Sequence, residues 1–235
     1  MSGRHRVSAL AAVLAAFAVC AFTPPSAPVL TPAAQKVVDA WRDKYRSAVD
    51  RIAKLPPPAG PREDLGRRVE VEQAGREALP QPDGLGLSAE EWRAANAVIW
   101  SELGAADADN TAFLKSIMPT DGWFTISQYG EPFIRGAWLI VQHSPDLAFQ
   151  RRVLQLMEPL VVRKEAYGDD YALLYDRVAV DEGRAQTYGS QAYCSKGKWV
   201  LRPIADEAHV DARRREVGLG PLVDYEKLLG VGNAC

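Results

Sequence analysis

The sequence predicts a mainly α protein: a single helical domain with a small β-hairpin near the C-terminus, preceded by a signal peptide and an N-terminal helix. Three observations predict this class. Apolar residues recur at helical spacing along most of the chain, loops rich in Pro and Gly separate these segments, and one region near the C-terminus has the pattern of paired strands. The predicted parts are a signal peptide (1–21), a helix with a Pro-rich linker (22–61), the helical domain (62–230) and a tail (231–235).

The N-terminal segment has the pattern of a secretory signal. A basic stretch at residues 4–6 precedes an apolar run at 7–22, and TPPSAP follows it. This order is typical of a signal peptide, and the run is too short to span a bilayer comfortably. We expect cleavage after Ala21, or alternatively after Ala18, and a periplasmic or secreted protein without a stable membrane span in its mature form. The alternatives are an uncleaved N-terminal anchor and a lipid anchor on Cys20.

Four helices are predicted in the first half of the remaining chain. Thr31–Lys54 and Glu63–Leu79 carry apolar residues at helical spacing and are separated by the stiff stretch PPPAGP. Ser88 forms a capping box with Glu91 and opens a third helix. A fourth, short helix is predicted at Asp109–Met118, before a proline.

Three more helices are predicted in the middle of the chain. Glu131–His143 is strongly apolar, and SPD follows it at once. Ser144 is a good N-cap and Pro145 a good first helical residue, so that a second helix starts beside the end of the first. The third helix is predicted at Asp169–Val180.

The C-terminal part predicts the only strands. QTYGSQAYC and KWVLRPI, separated by SKGK, indicate a hairpin or two extended arms, and small helices follow at Val210–Glu216 and Tyr225–Leu229. After removal of the signal, the remaining cysteines are Cys194 and Cys235. Cysteines in an oxidising compartment often pair, so a disulfide between these two is predicted, with two free thiols as the alternative.

Charge and motifs exclude several classes of function. The formal net charge is −2, which argues against a nucleic-acid partner because such proteins need a basic face. No Walker loop, dinucleotide-binding glycine pattern or nucleophile elbow occurs. With only His143 and His209 beyond the signal segment, we predict neither a metal site nor a cofactor.

His143 is the most interesting single residue. On a helix it shares an apolar face with Gly136 and Ile140, and the dipole at the helix C-terminus favours a protonated ring. The ring is a candidate general base or acid; the alternative is a structural histidine in the core or at a cap.

Three other polar residues interrupt apolar helical faces: Gln150, Asp176 and Arg177. Buried polar groups need partners, and His143 is a plausible partner for Gln150. Asp176 and Arg177 are adjacent and point about 100° apart on a helix, so they should find different partners. Structural ion pairing is the alternative to a shared site.

The segment Gln186–Gln191 combines amides, a phenol, a hydroxyl and a glycine. In an extended chain Gln186 and Tyr188 face one way and Gln191 the other, and Gly189 lets another group approach the backbone. This segment could satisfy the helical polar residues internally, or it could line a pocket that recognises hydroxyl or amide groups of a ligand.

These residues lie in motifs that resemble a bacterial family, the domain of unknown function 6624. The resemblance covers about residues 63–225, with one mild departure, because Ser190 stands where the family often has Thr. It implies no activity. The motifs that carry it are DADN (107–110), GW (122–123), AWLIVQH (137–143), Gln150, YDRV (175–178), GRAQTYGSQ (183–191) and PI (203–204).

Two functions remain open. The first is a metal-independent hydrolase or transferase of the bacterial envelope, with His143 as general base or acid, Asp176 as its orienter and Arg177 as an anion clamp. The substrate-binding residues would then be Gln150, Gln186, Tyr188 and Gln191. The second is a non-catalytic domain that binds a ligand or protein of the cell envelope. In both, the partner is an unknown small molecule or envelope component, and we expect the polar residues to converge in space.

Overall fold

The computed structural model describes residues 28–120 and 122–233. It confirms a mainly α fold with a small hairpin near the C-terminus; the predicted signal peptide lies outside the described residues. The elements of the described part are α1 (Pro32–Ala53), α2 (Pro61–Glu77), α3 (Ala89–Ile117), α4 (Ile126–Tyr129), α5 (Glu131–His143), α6 (Leu147–Val162), α7 (Gly168–Asp181), β1 (Ala192–Ser195), β2 (Lys198–Leu201), a 3-10 turn (Glu207–His209), α8 (Val210–Glu216) and α9 (Leu222–Leu228).

Helices α1, α2 and α3 pack together around a small apolar core. The indole of Trp41 is buried in it and donates to the carbonyl of Gly75, 2.9 Å away. A Cβ atom at Gly75 would lie 2.9 Å from Leu103 and 3.0 Å from Tyr45. The glycine therefore allows α1 and α3 to approach α2 closely.

Helix α5 lies at the centre of the main core. It contacts α2, α3, α4, α6 and α7, and most of its residues are buried, as expected for a helix that is apolar nearly all round. Gly136 faces α2, where a Cβ atom would lie 3.3 Å from Val69. This close packing brings the polar residues of α2 beside the end of α5.

Several helix boundaries differ from the predicted ones: α9 begins at Leu222 instead of Tyr225, the short α4 was not predicted, and the largest differences concern α3 and α6. The helices predicted to start at Ser88 and Asp109 form one 29-residue helix, α3, since a single internal glycine, Gly104, weakens a helix without ending it. The N-cap of α6 is Asp146 rather than Ser144, because the Asp146 carboxylate accepts the N–H of Phe149.

The β-hairpin is shorter than predicted. Ala192 pairs with Leu201 and Ser195 with Lys198. Lys196 and Gly197 form the turn, both with positive φ, as two-residue hairpins require. Residues 186–191 form a loop beside α7, not a strand. No helix in the described part of the chain is long and apolar enough to cross a membrane.

Candidate functional site

The loop of residues 186–191, here called the arm, is organised by Asp176. This residue lies on α7 and is completely buried. Its carboxylate accepts backbone N–H groups from Thr187 at 2.6 Å, Tyr188 at 3.0 Å and Ser190 at 2.9 Å. A carboxylate held by several backbone donors is well satisfied without a counter-charge. Asp176 therefore shapes the arm.

The side chains of the arm also bond inward. The buried amide of Gln186 donates to the carbonyls of Gln191 (3.1 Å) and Arg202 (2.8 Å), and its oxygen accepts the N–H of Gln191. The Gln191 amide donates to the Ser190 hydroxyl. Gly189 has a φ of +72°, and a Cβ atom there would lie 2.7 Å from Leu222. These contacts make the arm a packed structural loop.

Arg214 closes the same network from α8. It is 1% exposed, and its guanidinium donates to the carbonyls of Tyr188 and Gly220, both at 2.6 Å. The guanidinium carbon also lies 4.9 Å from the centroid of the Tyr225 ring, a cation–π contact. Burial lowers the pKa of Arg214, opposed by the charges of Tyr225 and Asp211.

Gln150 bonds to the backbone at the end of α5. Its amide nitrogen donates to the carbonyls of Val141 (3.1 Å), Gln142 (3.4 Å) and Ser144 (3.1 Å). These carbonyls belong to the last turn and the C-cap of α5, where the regular helical hydrogen bonds end; the Val141 carbonyl also accepts the N–H of Ser144. Gln150 thus supports the backbone around His143 and does not contact its ring.

His143 contacts a carboxylate that the sequence reasoning missed. Its Nδ1 atom bonds to Oε1 of Glu72, on α2. The Glu72 side chain is only 1% exposed, whereas the His143 side chain is 20% exposed. The carboxylate is therefore shielded from water while one edge of the ring reaches the surface.

Arg76 links this pair to a second buried carboxylate. Its Nη2 atom donates to both carboxylate oxygens of Asp107, on α3, at 2.9 Å. Its Nη1 atom lies 2.8 Å from Glu72 Oε1 as an ion pair, but without the alignment of a hydrogen bond. We call Glu72, Arg76, Asp107, His143 and Arg177 the His143 cluster.

The two carboxylates of the His143 cluster have opposite pKa shifts. Burial raises the pKa of Glu72, but the hydrogen bond and charge of His143 and the charge of Arg76 outweigh burial, so the pKa is lowered. For Asp107 burial is the larger effect, and its pKa is raised despite the contact with Arg76. Glu72 is thus the carboxylate that stays charged beside His143.

Arg177 is the least satisfied member of the cluster. Its Nε atom is buried and has no hydrogen-bond partner among the described residues. Burial lowers the pKa of Arg177, with a further lowering by the charge of Arg76, against the raising effects of Asp181 and Tyr225. Arg177 therefore lies within the range over which the charge of Arg76 acts on it.

Glu72 also borders an open cleft of about 320 Å³ between α1, α2 and α3. Tyr45, Arg68, Asp109 and Asn110 line it as well, but Arg68 is already bonded to Asp64, Asp109 and Asn110. The other arginine of this wall, Arg67, is bonded to Glu63 and to the Pro56 carbonyl, so both cationic groups are occupied. Across residues 28–120 and 122–233, no group of three or more His, Cys, Asp or Glu residues has the arrangement of a metal site.

The predicted polar residues thus separate into two regions. Asp176 contacts Gln186–Gln191 through the arm backbone, whereas His143 contacts Glu72, and the charge of Arg76 acts on Arg177. Asp176, which was predicted to orient His143, instead accepts hydrogen bonds from the arm. Glu72 is the carboxylate that contacts His143. A sequence signal for it existed: Leu65, Val69, Glu72 and Arg76 follow each other at spacings that place them on one helical face.

The fold and site together define a helical protein with a partly exposed histidine oriented by a buried carboxylate. Residues 72–233 match the family of unknown function DUF6624, and the chain belongs to this family. The match contains the whole His143 cluster and the arm. No curated protein and no solved structure matches the chain.

Proposed function

We propose that the chain is a hydrolase or transferase that works by acid–base chemistry at His143. The observation that carries this proposal is the contact between Nδ1 of His143 and the buried carboxylate of Glu72. A carboxylate on one ring nitrogen sets the tautomer and the orientation of the imidazole. The other nitrogen, Nε2, then exchanges the proton with a ligand.

The surroundings of Glu72 support this role. Arg76 and Gln73 hold its two oxygens, at 2.8 Å and 3.0 Å, and Arg76 is itself held by Asp107. Because the orienting carboxylate is already fixed, little conformational entropy has to be lost when the imidazole takes up or releases a proton. Gln150 adds rigidity because it holds the carbonyls on both sides of His143.

The second candidate is a non-catalytic domain that binds a ligand in the cell envelope. It is favoured by one observation: in the described part of the chain, no hydroxyl or thiol hydrogen-bonds to His143, so no side-chain nucleophile is already in place. In the first candidate the nucleophile is then water or a second substrate, activated by His143.

His143→Gln is the deciding variant, and His209→Gln is its matched control. His209 also contacts a carboxylate, Asp206 at 2.9 Å, but its side chain is 72% exposed. Purified protein is screened against chromogenic esters, phosphoesters and amides. We expect a loss of about 100-fold or more for His143→Gln, a smaller loss for Glu72→Gln, and no change for His209→Gln. Equal turnover in wild type and His143→Gln would reject the acid–base role.

We also propose that the protein is exported and that Cys194 pairs with Cys235. Cys235 lies outside the described residues, but the segment before it supports the pairing. Asn233 accepts the N–H of Trp199, and Gly232 donates to the Trp199 carbonyl at 2.8 Å; Trp199 is the cross-strand neighbour of Cys194. Mass spectrometry of the processed protein, with and without reduction before alkylation, tests both the cleavage site and the disulfide.

A further inference from the structure

Three buried polar side-chain atoms in the described part of the chain have no hydrogen-bond partner: Arg76 Nη1, Gln142 Oε1 and Arg177 Nε. Arg76 contacts Glu72, and Gln142 precedes His143 on α5. Arg177 is close enough to Arg76 for their charges to repel. One unsatisfied atom thus lies beside Glu72, one belongs to the residue before His143, and the third belongs to Arg177 on α7.

Gln142 extends this region toward α7. It follows Trp138 by one helical turn, and the Trp138 indole donates to the Asp170 carbonyl on α7 at 2.8 Å. Residues one turn apart share a helical face, so Gln142 lies on the side of α5 that packs against α7. Arg177 is on α7, about two turns beyond Asp170.

The charge at Arg177 is uncompensated. No carboxylate lies within ion-pair distance of its guanidinium among residues 28–120 and 122–233, and Asp181, which acts on it electrostatically, is exposed to solvent. Arg76 has carboxylate partners, but one of its nitrogens still lacks a hydrogen bond. A guanidinium group such as that of Arg177, largely removed from water and without a carboxylate partner, is unfavourable unless an anion binds it.

We propose that Arg177 binds an oxyanionic group of the ligand, a carboxylate or a phosphoryl group, where α7 packs beside α5. Guanidinium groups match the planar and tetrahedral oxygens of these groups in charge and geometry. The unpaired amide oxygen of Gln142 fits an N–H or O–H donor adjacent to the anion. That this anion belongs to the substrate rests on the proposed function; the anion site itself does not.

Anion binding is tested by titrating the processed protein with sodium phosphate and, separately, with sodium acetate. Sodium chloride keeps the ionic strength constant. Binding is measured by calorimetry and by the shift in Tm. We expect saturable binding of at least one anion, and at least a tenfold weaker Kd in Arg177→Met. The matched control is Arg163→Gln, which removes an exposed arginine at the end of α6 and should leave the Kd unchanged.

The two titrations identify the ligand chemistry. Preferential binding of phosphate assigns a phosphoryl group, and preferential binding of acetate assigns a carboxylate. Absence of saturable binding of both, or equal Kd values in wild type and Arg177→Met, overturns the proposal. If Arg177→Met does not fold, Arg177→Lys replaces it. Lysine keeps the charge but lacks the paired donors, so a Kd equal to that of wild type would again overturn the proposal.

Anion binding and catalysis can fail separately. His143→Gln keeps Arg177 and should bind phosphate or acetate within about threefold of wild type, because the guanidinium group of Arg177 makes the charged contact with the anion. Retained anion binding in a protein without turnover would reject the proposed enzyme while supporting the anion site. Turnover that depends on His143 but not on Arg177 would support the proposed enzyme and reject the anion site as part of its substrate binding.

Discussion

The arm and the His143 cluster contain the same kinds of residues but differ in how their polar groups are satisfied. In the arm, Asp176 accepts three backbone N–H groups and Gln186 uses both ends of its amide. In the His143 cluster, Arg177 and Arg76 keep buried nitrogens without hydrogen bonds. Buried polar groups are normally paired, so the arm is a satisfied structural loop, whereas the His143 cluster retains an unpaired donor on Arg177.

The comparison is sharpest for two arginines. Arg214 and Arg177 both have lowered pKa values because of burial, and both interact with Tyr225. Arg214 donates to two carbonyl groups, whereas Arg177 lacks a partner for its buried Nε. Burial alone therefore does not distinguish these two arginines; their hydrogen bonds do.

The largest expected effect is that of Asp176→Asn. It removes the charge that three backbone N–H groups converge on and turns an amide nitrogen toward them, so we expect a loss of about 4 kcal/mol in the free energy of unfolding. Urea unfolding followed by circular dichroism measures it. The control is Asp181→Asn, at an exposed position on the same helix, with an expected change within about 0.5 kcal/mol. Similar values for the two variants would contradict the structural role of the arm.

Arg214→Met and Arg177→Met test the comparison directly. Arg214→Met leaves the carbonyls of Tyr188 and Gly220 without their donor, and we expect a loss of about 2–3 kcal/mol. Arg177→Met removes an uncompensated cation, so we expect stability within about 0.5 kcal/mol of wild type, or above it, when no anion is added. Both are measured in chloride buffer by urea unfolding. A strong destabilisation by Arg177→Met would place Arg177 with the structural arginines.

A smaller, pH-dependent effect is expected for Glu72→Gln. The pKa of Glu72 is lowered from 4.5 in the folded protein, so its charge stabilises the fold above that pH and this contribution is lost as the pH falls through the lowered pKa. We expect Glu72→Gln to be about 1–2 kcal/mol less stable than wild type near neutral pH. The difference should shrink toward zero in acid. A difference that is constant with pH would mean that the charge of Glu72 does not stabilise the fold.

Local rules predicted the helices well. The bounds of α5 and α8 agree with the predicted ones, since apolar spacing, a proline near the start of α5 and the SPD sequence after it act within one or two turns. The break predicted inside α3 was wrong for a related reason: Gly104 lowers helix propensity by about 1 kcal/mol, which the packing of α3 against α1, α2 and α5 exceeds.

The site was harder to predict. Sequence reasoning singled out His143 and Arg177, because a polar residue on an apolar face is visible in the chain itself. It did not identify Glu72, although Glu72 lies on the same stripe as Leu65 and Val69. A charged residue on a charged helix such as α2 resembles a solvated one until the partner helix is known.

The sequence by itself determined the helical fold, the approximate position of the hairpin and the need of Asp176 and Arg177 for separate partners, because periodicity and helix geometry act over a few residues. Only the tertiary structure decided which groups meet. The close approach of α2 to α5 at Gly136 placed Glu72, rather than Asp176, against His143. Pairing between residues 71 positions apart depends on the packing of whole helices, and that packing is set by the shape of the entire core.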